Sequence, residues 1–239
     1  MKSKKILLVT TSHDRMGDTD TSTGVWLEDI AEPYYIFKEA GAHITIVSPK
    51  GGSVPIDPKS QSIVIITSNG KRFLKDQEAM ESLSHSFTLE EIDANNFDLA
   101  FISGGPGAMW DLADNKLLKK ILEAFNSSNK PIGSVCHGVV ALLSLQDNEG
   151  ELLIKGKNLT GFSNIEEESA GLSKVVPFLL ETQLTSLGAL YTKGESYVSY
   201  FVTDGNLITG QNPASSAAVA IKISVLVRNG YALNQEFNS

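Results

Sequence analysis

The stretch Ile132-Gly133-Ser134-Val135-Cys136-His137-Gly138 decides the fold. Its first four residues have the composition of a buried strand, and Gly138 permits close packing where a helix begins. The sequence therefore predicts a sharp strand-to-helix turn that exposes Cys136. A cysteine at the start of a helix is favoured as thiolate by unpaired N–H groups and by the helix dipole, which would lower its pKa. The alternative is that this cysteine is a small buried apolar residue.

Outward from that turn, short apolar runs alternate with amphipathic segments of helix length. The predicted strands are 6–11, 44–48, 99–103 and 132–135, and the predicted helices are 26–40, 111–125 and 137–145. This order is typical of a parallel sheet with helices on both faces. After Gly150 the short pieces 152–154, 159–162, 197–202 and 207–209 either complete the sheet or form a side ribbon, and 213–227 predicts a closing helix that starts with proline. One domain over 1–239 is the simplest organisation.

The amino-acid composition argues against nucleic-acid binding and against a membrane role. The 239 residues carry 41% hydrophobic and 20% charged residues, as in an ordinary globular protein. A net charge of -8 disfavours a nucleic-acid partner. No run approaches the roughly 20 apolar residues of a membrane span, and a single cysteine cannot form an internal disulfide, so we expect a cytoplasmic protein with no membrane role.

Two features bear on the chemistry of the turn. Because neighbouring side chains diverge, His137 approaches the sulfur only if the backbone at Cys136 is unusual. The glycine-rich loop Ser103-Gly104-Gly105-Pro106-Gly107 has no phosphate-loop signature. It is interpreted as a backbone cradle, in which the N–H groups of Gly105 and His137 form an oxyanion hole, or as a simple tight turn. The four histidines are scattered, so no metal or other cofactor is expected.

Four motifs, taken in order and spacing, resemble the ThiJ/PfpI superfamily: 104–111 (GGPGAMWD), 135–138 (VCHG), 160–162 (TGF) and 209–213 (TGQNP). The stretches 23–26 and 48–52 are similar to its glutathione-independent glyoxalase and heat-shock chaperone branch. The resemblance implies a flavodoxin-like three-layer α/β sandwich with a central, mostly parallel sheet, usually as a homodimer, with a reactive cysteine at the turn.

The resemblance also implies site residues. Cys136 and His137 would be joined by an acid after the Thr-Gly-Phe segment, which maps onto Glu167, with Glu166 as the close competitor. The acid expected beside the sulfur falls on Asp29, one methylene shorter than the family glutamate, and Glu28 is an alternative for that role. Gly104, Gly105 and Pro106 would form the oxyanion and substrate-binding loop. Pro106 stands where the family often has histidine, which removes an acid/base candidate.

The function that this resemblance implies is conversion of small 2-oxoaldehydes such as methylglyoxal to hydroxy acids through a cysteine hemithioacetal, with protein deglycase or chaperone activity as additional expectations. One alternative is a cysteine-dependent amidase or peptidase. No histidine follows His137, so the triad of related amidotransferases cannot be assembled. The other alternative is a non-enzymatic stress chaperone or oxidation sensor in which Cys136 becomes sulfinic acid.

Overall fold

The computed structural model describes residues 3–228. Its strands are Lys5–Val9 (β1), His43–Ser48 (β2), Phe87–Thr88 (β3), Leu99–Ile102 (β4), Ile132–Val135 (β5), Asn158–Leu159 (β6), Leu190–Tyr191 (β7), Phe201–Asp204 (β8) and Leu207–Gly210 (β9). Its α-helices are Leu27–Glu39 (α1), Ser68–Phe73 (α2), Gln77–Ser84 (α3), Ala108–Asp111 (α4), Lys116–Ser127 (α5), Asn164–Ser169 (α6), Leu180–Ser186 (α7) and Ser216–Arg228 (α8).

Seven strands form the central sheet, in the order β3-β2-β1-β4-β5-β9-β8. Every neighbouring pair is parallel except β8 and β9, which are antiparallel. Helices pack around this sheet: α1 lies against α8, and α5 lies against β4 and β5. The flavodoxin-like α/β architecture predicted from the sequence is confirmed.

The strands after Gly150 follow both arrangements that the sequence left open, since some complete the central sheet and others form a small separate sheet. Strands β8 and β9 complete the central sheet, while β6 and β7 form a separate two-stranded parallel sheet. The predicted strand at 152–154 is wrong, because that segment contributes only an isolated bridge between Gln146 and Leu152.

Two predicted helices differ in form. The segment 111–125 is two helices, because the Asn115 side chain accepts hydrogen bonds from the Leu117 and Leu118 amides and so starts α5 afresh. The helix after β5 is a 3-10 helix, Cys136–Leu142, with every residue buried.

The central strands are buried because their sequences are continuous apolar runs. All residues of β4 and β5 and the last four of β1 are buried, as expected of parallel strands covered on both faces. Since β1, β4 and β5 run parallel and adjacent, their carboxyl ends meet at one edge of the sheet. The loops that follow these strands converge there, at the usual ligand position of an open α/β sheet.

Candidate active site

Cys136 occupies a strained backbone position directly after β5. Its φ angle is 56°, in the left-handed region that a non-glycine residue enters at a cost of about 1–3 kcal/mol. A glycine is needed at Gly138, because a Cβ there would lie 2.7 Å from the Ser103 carbonyl oxygen. The unusual backbone predicted at Cys136 is confirmed.

That strained turn brings the two neighbouring side chains together. His137 Nδ1 lies 3.5 Å from Cys136 Sγ, and both residues are 2% exposed. On the other side of the ring, Nε2 lies 2.9 Å from Glu167 Oε2 and 3.2 Å from Oε1. When Nε2–H donates to the Glu167 carboxylate, Nδ1 is left as an acceptor facing the sulfur. The geometry is that of a nucleophile, a base and a group that orients the base.

The two competing acids of α6 have different partners. Glu166 accepts hydrogen bonds at Oε2 from the Ser163 hydroxyl and amide, which is the capping box that begins α6. Its Oε1 accepts from the Tyr197 amide and from Asn212 Nδ2. These donors are all neutral, and within residues 3–228 the Glu166 carboxylate makes no hydrogen bond with His137. The structure thus places Glu167, rather than Glu166, on the histidine.

Asp29 lies beside the cysteine, fully buried on α1. The Ser216 hydroxyl donates to Oδ1 over 2.9 Å. Oδ2 has no fully formed hydrogen bond within residues 3–228, although the Cys136 side chain and the Gly104 amide lie close enough to lower the pKa of the carboxyl. Burial outweighs these contacts and raises the pKa of Asp29 well above its usual value, with a further increase from Glu28.

Three segments meet at Gly104. A Cβ built on it would lie 2.5 Å from Asp29 Oδ2, 2.6 Å from Cys136 Cβ and 2.7 Å from the Val135 carbonyl oxygen. Gly105 has φ 111° and leaves no room for a side chain, because its Cβ would lie 2.3 Å from the Trp26 amide nitrogen. These two glycines therefore let acid, sulfur and loop backbone approach one another.

Two backbone amides point at the sulfur. The N–H groups of Gly105 and His137 both stabilise charge on Cys136 Sγ. An oxyanion formed on a carbon bonded to Sγ would lie near the same donors. The loop that contains Gly105 therefore lies where its backbone amide can act as an oxyanion donor, as predicted.

The expectation of a lowered cysteine pKa is wrong. Burial raises the pKa of the Cys136 thiol well above its usual value, and the nearby Asp29 raises it further. The two amides act in the opposite direction and are outweighed. The helix after the cysteine is a seven-residue 3-10 helix, so the dipole of a long α-helix is not available at this position. Burial thus favours the neutral form of both the thiol and the neighbouring Asp29 carboxyl.

The sulfur is buried but reachable, because it lies on the wall of a cavity of about 390 Å³. His137 and Pro106 line the same cavity, so three of the predicted site residues face it. The cavity walls also contain residues that sequence reasoning missed, namely Met16, Trp26, Ile65, Phe162, Leu172 and Tyr197. The ring of Phe162 lies 4.3 Å from that of His137. Its place in the Thr-Gly-Phe motif was the available signal.

The described part of the chain offers neither a cluster of metal ligands nor a helix that could span a membrane. Residues 3–228 contain no group of three or more His, Cys, Asp or Glu side chains arranged to hold a metal ion. In the same residues, no helix combines the length and apolar character needed to cross a lipid bilayer.

This arrangement of fold and site corresponds to a known family. Residues 21–225 match the sequence model of the DJ-1/PfpI family. The chain belongs to the DJ-1/PfpI family. The resemblance inferred from the four motifs is confirmed by this match.

Within the DJ-1/PfpI family, the chain is similar to proteins with glyoxalase names. Glyoxalase 3 of Candida albicans is 29% identical over 90% of this chain and 95% of its own length. The glutathione-independent glyoxalase HSP31 of Saccharomyces cerevisiae is 28% identical over 96% of this chain and 100% of its own.

Solved structures agree with these relationships. The crystal structure of Candida albicans glyoxalase III superposes with a TM-score of 0.86 over 93% of this chain and 96% of its own, at 28% identity. The rapid encystment protein of 24 kDa from Francisella tularensis gives a TM-score of 0.89 at 38% identity, covering 94% of this chain and 99% of its own.

Proposed function

We propose that this protein is a glutathione-independent glyoxalase, which converts small 2-oxoaldehydes such as methylglyoxal to 2-hydroxy acids. The observation that carries the proposal is the placement of Cys136 Sγ at a cavity wall, between His137 Nδ1 and the Asp29 carboxyl. The names of two relatives similar over nearly their whole length support it.

The reaction begins with attack of Cys136 Sγ on the aldehyde carbon, C1. The thiol proton passes to His137 Nδ1 or to Asp29, both of which lie beside the sulfur. In its ionised form Asp29 is a stronger base than an exposed carboxylate, because its pKa is raised. The Gly105 and His137 amides stabilise the oxyanion on C1 until it is protonated, which gives a neutral hemithioacetal.

The second stage moves hydrogen from C1 to C2. His137, once it has returned the thiol proton to the C1 oxygen, removes the C1 hydrogen as a proton and delivers it to C2, while the electron pair of the C1–H bond passes through an enediol. Glu167 stabilises the imidazolium that exists between the two transfers. The product is a thioester on Cys136, which water hydrolyses to the hydroxy acid and the free thiol. The same sulfur serves the role that glutathione has in other glyoxalases, as a covalent handle.

The test is lactate formation from methylglyoxal by purified protein in the absence of glutathione. Wild type should form lactate, and Cys136→Ala should form none while unfolding at a similar temperature. Equal rates for the two proteins, or no lactate from wild type, would contradict the proposal.

The predicted homodimer is part of this proposal, as a usual property of the family branch that the sequence resembles. Light scattering after size-exclusion chromatography measures it directly. A mass of twice the 25.7 kDa chain is expected, and a mass of one chain would contradict it.

A further inference from the structure

A third acid faces the cavity from α1. Glu28 lines the same cavity as Cys136 and His137, whereas its neighbour Asp29 is fully buried against Ser216. Side chains one residue apart diverge by about 100° around a helix. Helix α1 therefore presents one acid to the sulfur and the other to the cavity.

Glu28 is free to bond a ligand. Within residues 3–228 its carboxyl makes no hydrogen bond and no ion pair with another side chain. Glu32, one turn further along α1, is held instead: Oε1 accepts from the Thr67 hydroxyl at 3.0 Å and Oε2 from Asn69 Nδ2 at 2.7 Å. The Glu32 side chain is thus held in place beside Glu28, and Glu28 is the acid with unused bonding capacity.

The surroundings of Glu28 raise its pKa into the neutral range. Burial and the charge of Glu32 raise the pKa of Glu28 to about 7. The other ionisable groups near it are Asp29 on the same helix and, on the remaining walls of the cavity, Asp57, Lys59, Cys136, His137 and Tyr197. An acid/base group works best when its pKa lies near the working pH, and Glu28 meets this condition.

We propose that Glu28 is a catalytic residue that exchanges protons with the two oxygens of the substrate, while Asp29 exchanges a proton with the sulfur. This inference rests on the proposed glyoxalase function and adds a residue to it. In the hemithioacetal, the C1 oxygen carries a proton and the C2 oxygen is a ketone. In the thioester product, the C1 oxygen is the carbonyl and the C2 oxygen carries the proton.

The Glu28 carboxyl group alone can both give and take the protons that the two substrate oxygens exchange. As the C1–H bond breaks and its electron pair forms the C1=C2 bond, the C2=O π electrons move onto the C2 oxygen, which takes the proton of Glu28. When C2 is then protonated, the C1–OH proton passes to the Glu28 carboxylate and the C1=O bond forms. Glu28 ends as it began, and no oxidant or other co-reactant is consumed.

In this scheme His137 transfers the hydrogen between the two carbons, and Glu28 transfers the proton between the two oxygens. Asp29 cannot serve the second task, because its Oδ1 is occupied by Ser216 and its Oδ2 lies beneath Gly104. The protonated form of Glu28 starts the cycle. Activity that depends on it should therefore fall as the pH rises through about 7.

The experiment measures kcat and KM for methylglyoxal from pH 5 to pH 9 in Glu28→Gln, Glu28→Asp and Glu32→Gln. Glu39→Gln, an exposed glutamate on the same helix, is the matched control. Glu28→Gln should lower kcat by about a hundredfold or more, with KM changed little, and should abolish the fall in activity near pH 7. Glu28→Asp should keep the fall at a reduced rate. Glu32→Gln should move it to lower pH, because removal of a neighbouring negative charge lowers the pKa of Glu28.

A second readout separates this role from damage to the nucleophile. At pH 5, the rate of Cys136 alkylation by iodoacetamide should be the same in Glu28→Gln and wild type, since Glu28 is then protonated and the two proteins carry the same charge at this position. A Glu28→Gln protein with wild-type kcat and an unchanged pH profile would overturn the role of Glu28 alone. Absence of turnover in wild type would overturn the proposed function and this inference together, so the two failures are distinguishable.

Discussion

The replacement Glu167→Gln tests the histidine–carboxylate pair with the smallest change in shape. It keeps the size of the side chain and one oxygen able to accept from His137 Nε2–H, and it removes only the charge. Both residues of the pair are nearly inaccessible to solvent, with side-chain exposures of 3% and 1%. Water therefore cannot replace the missing charge.

The size of the effect follows from the distance. Opposite unit charges 2.9 Å apart attract by about 6 kcal/mol at an effective dielectric constant near 20. That attraction exists only while the imidazole is protonated, during transfer of the carbon-bound hydrogen. With the proton about half transferred at the transition state, about 3 kcal/mol of stabilisation is lost, which corresponds to a decrease in kcat on the order of a hundredfold.

The assay is methylglyoxal turnover at saturating concentration, with thermal unfolding measured in parallel. The matched control is Glu168→Gln, which makes the same chemical change at an exposed neighbour on α6 and should leave kcat unchanged. If Glu167→Gln turns over as fast as wild type while Cys136→Ala is inactive, the charge of Glu167 has no part in the reaction and the assignment of His137 as the proton carrier loses its support.

Three further predictions concern the buried acid and the glycine beside it. The pKa of Asp29 in the folded protein is raised above its unfolded value of 3.8, so ionisation of Asp29 destabilises the fold. In urea denaturation, Asp29→Asn should have the same free energy of unfolding as wild type at pH 4 and an increasingly higher one towards pH 9. A difference independent of pH would contradict this. Ser216→Ala removes the donor to Asp29 Oδ1 and should lower the free energy of unfolding by about 1–3 kcal/mol, measured at pH 8 by urea denaturation, with an unchanged value counting against the hydrogen bond. Gly104→Ala places a Cβ 2.6 Å from Cys136 Cβ and should cost about 1–3 kcal/mol and most of the activity; a fully active, equally stable variant would show that the loop can move away.

The sheet and the cysteine turn were predictable because each rests on local sequence. Residues 132–135 have the composition of a buried strand and lead directly into Cys136, and the structure has the strand at those bounds. The choice between the two acids of α6 was also open to prediction. Ser163-Asn164-Ile165-Glu166 is a capping-box sequence, which commits Glu166 to the helix start and leaves Glu167 for the histidine.

Other features depend on contacts that no local pattern contains. Ser216 meets Asp29 across 187 positions of sequence, and Tyr197 reaches the cavity wall through a left-handed backbone angle of 60°. The direction of the cysteine pKa was mispredicted for a related reason. The position of Cys136 at a helix start is visible in the sequence, but its burial and its closeness to Asp29 are tertiary properties, and they outweigh the backbone donors.

The chain buries Asp29, Glu166 and Glu167 around one thiol without pairing any of them with a lysine or arginine from residues 3–228. The partners of these acids are neutral donors or a histidine, such as Ser216 for Asp29 and Asn212 for Glu166. A nearby cation would lower the pKa of the thiol and keep it permanently ionised. Neutral donors and a histidine instead hold these carboxyls in place, while burial and the nearby Asp29 favour a proton on the sulfur. In the proposed reaction, such a thiol gives up its proton only as it attacks the aldehyde carbon, with Asp29 or His137 receiving the proton, which suits a buried site that must move one proton repeatedly.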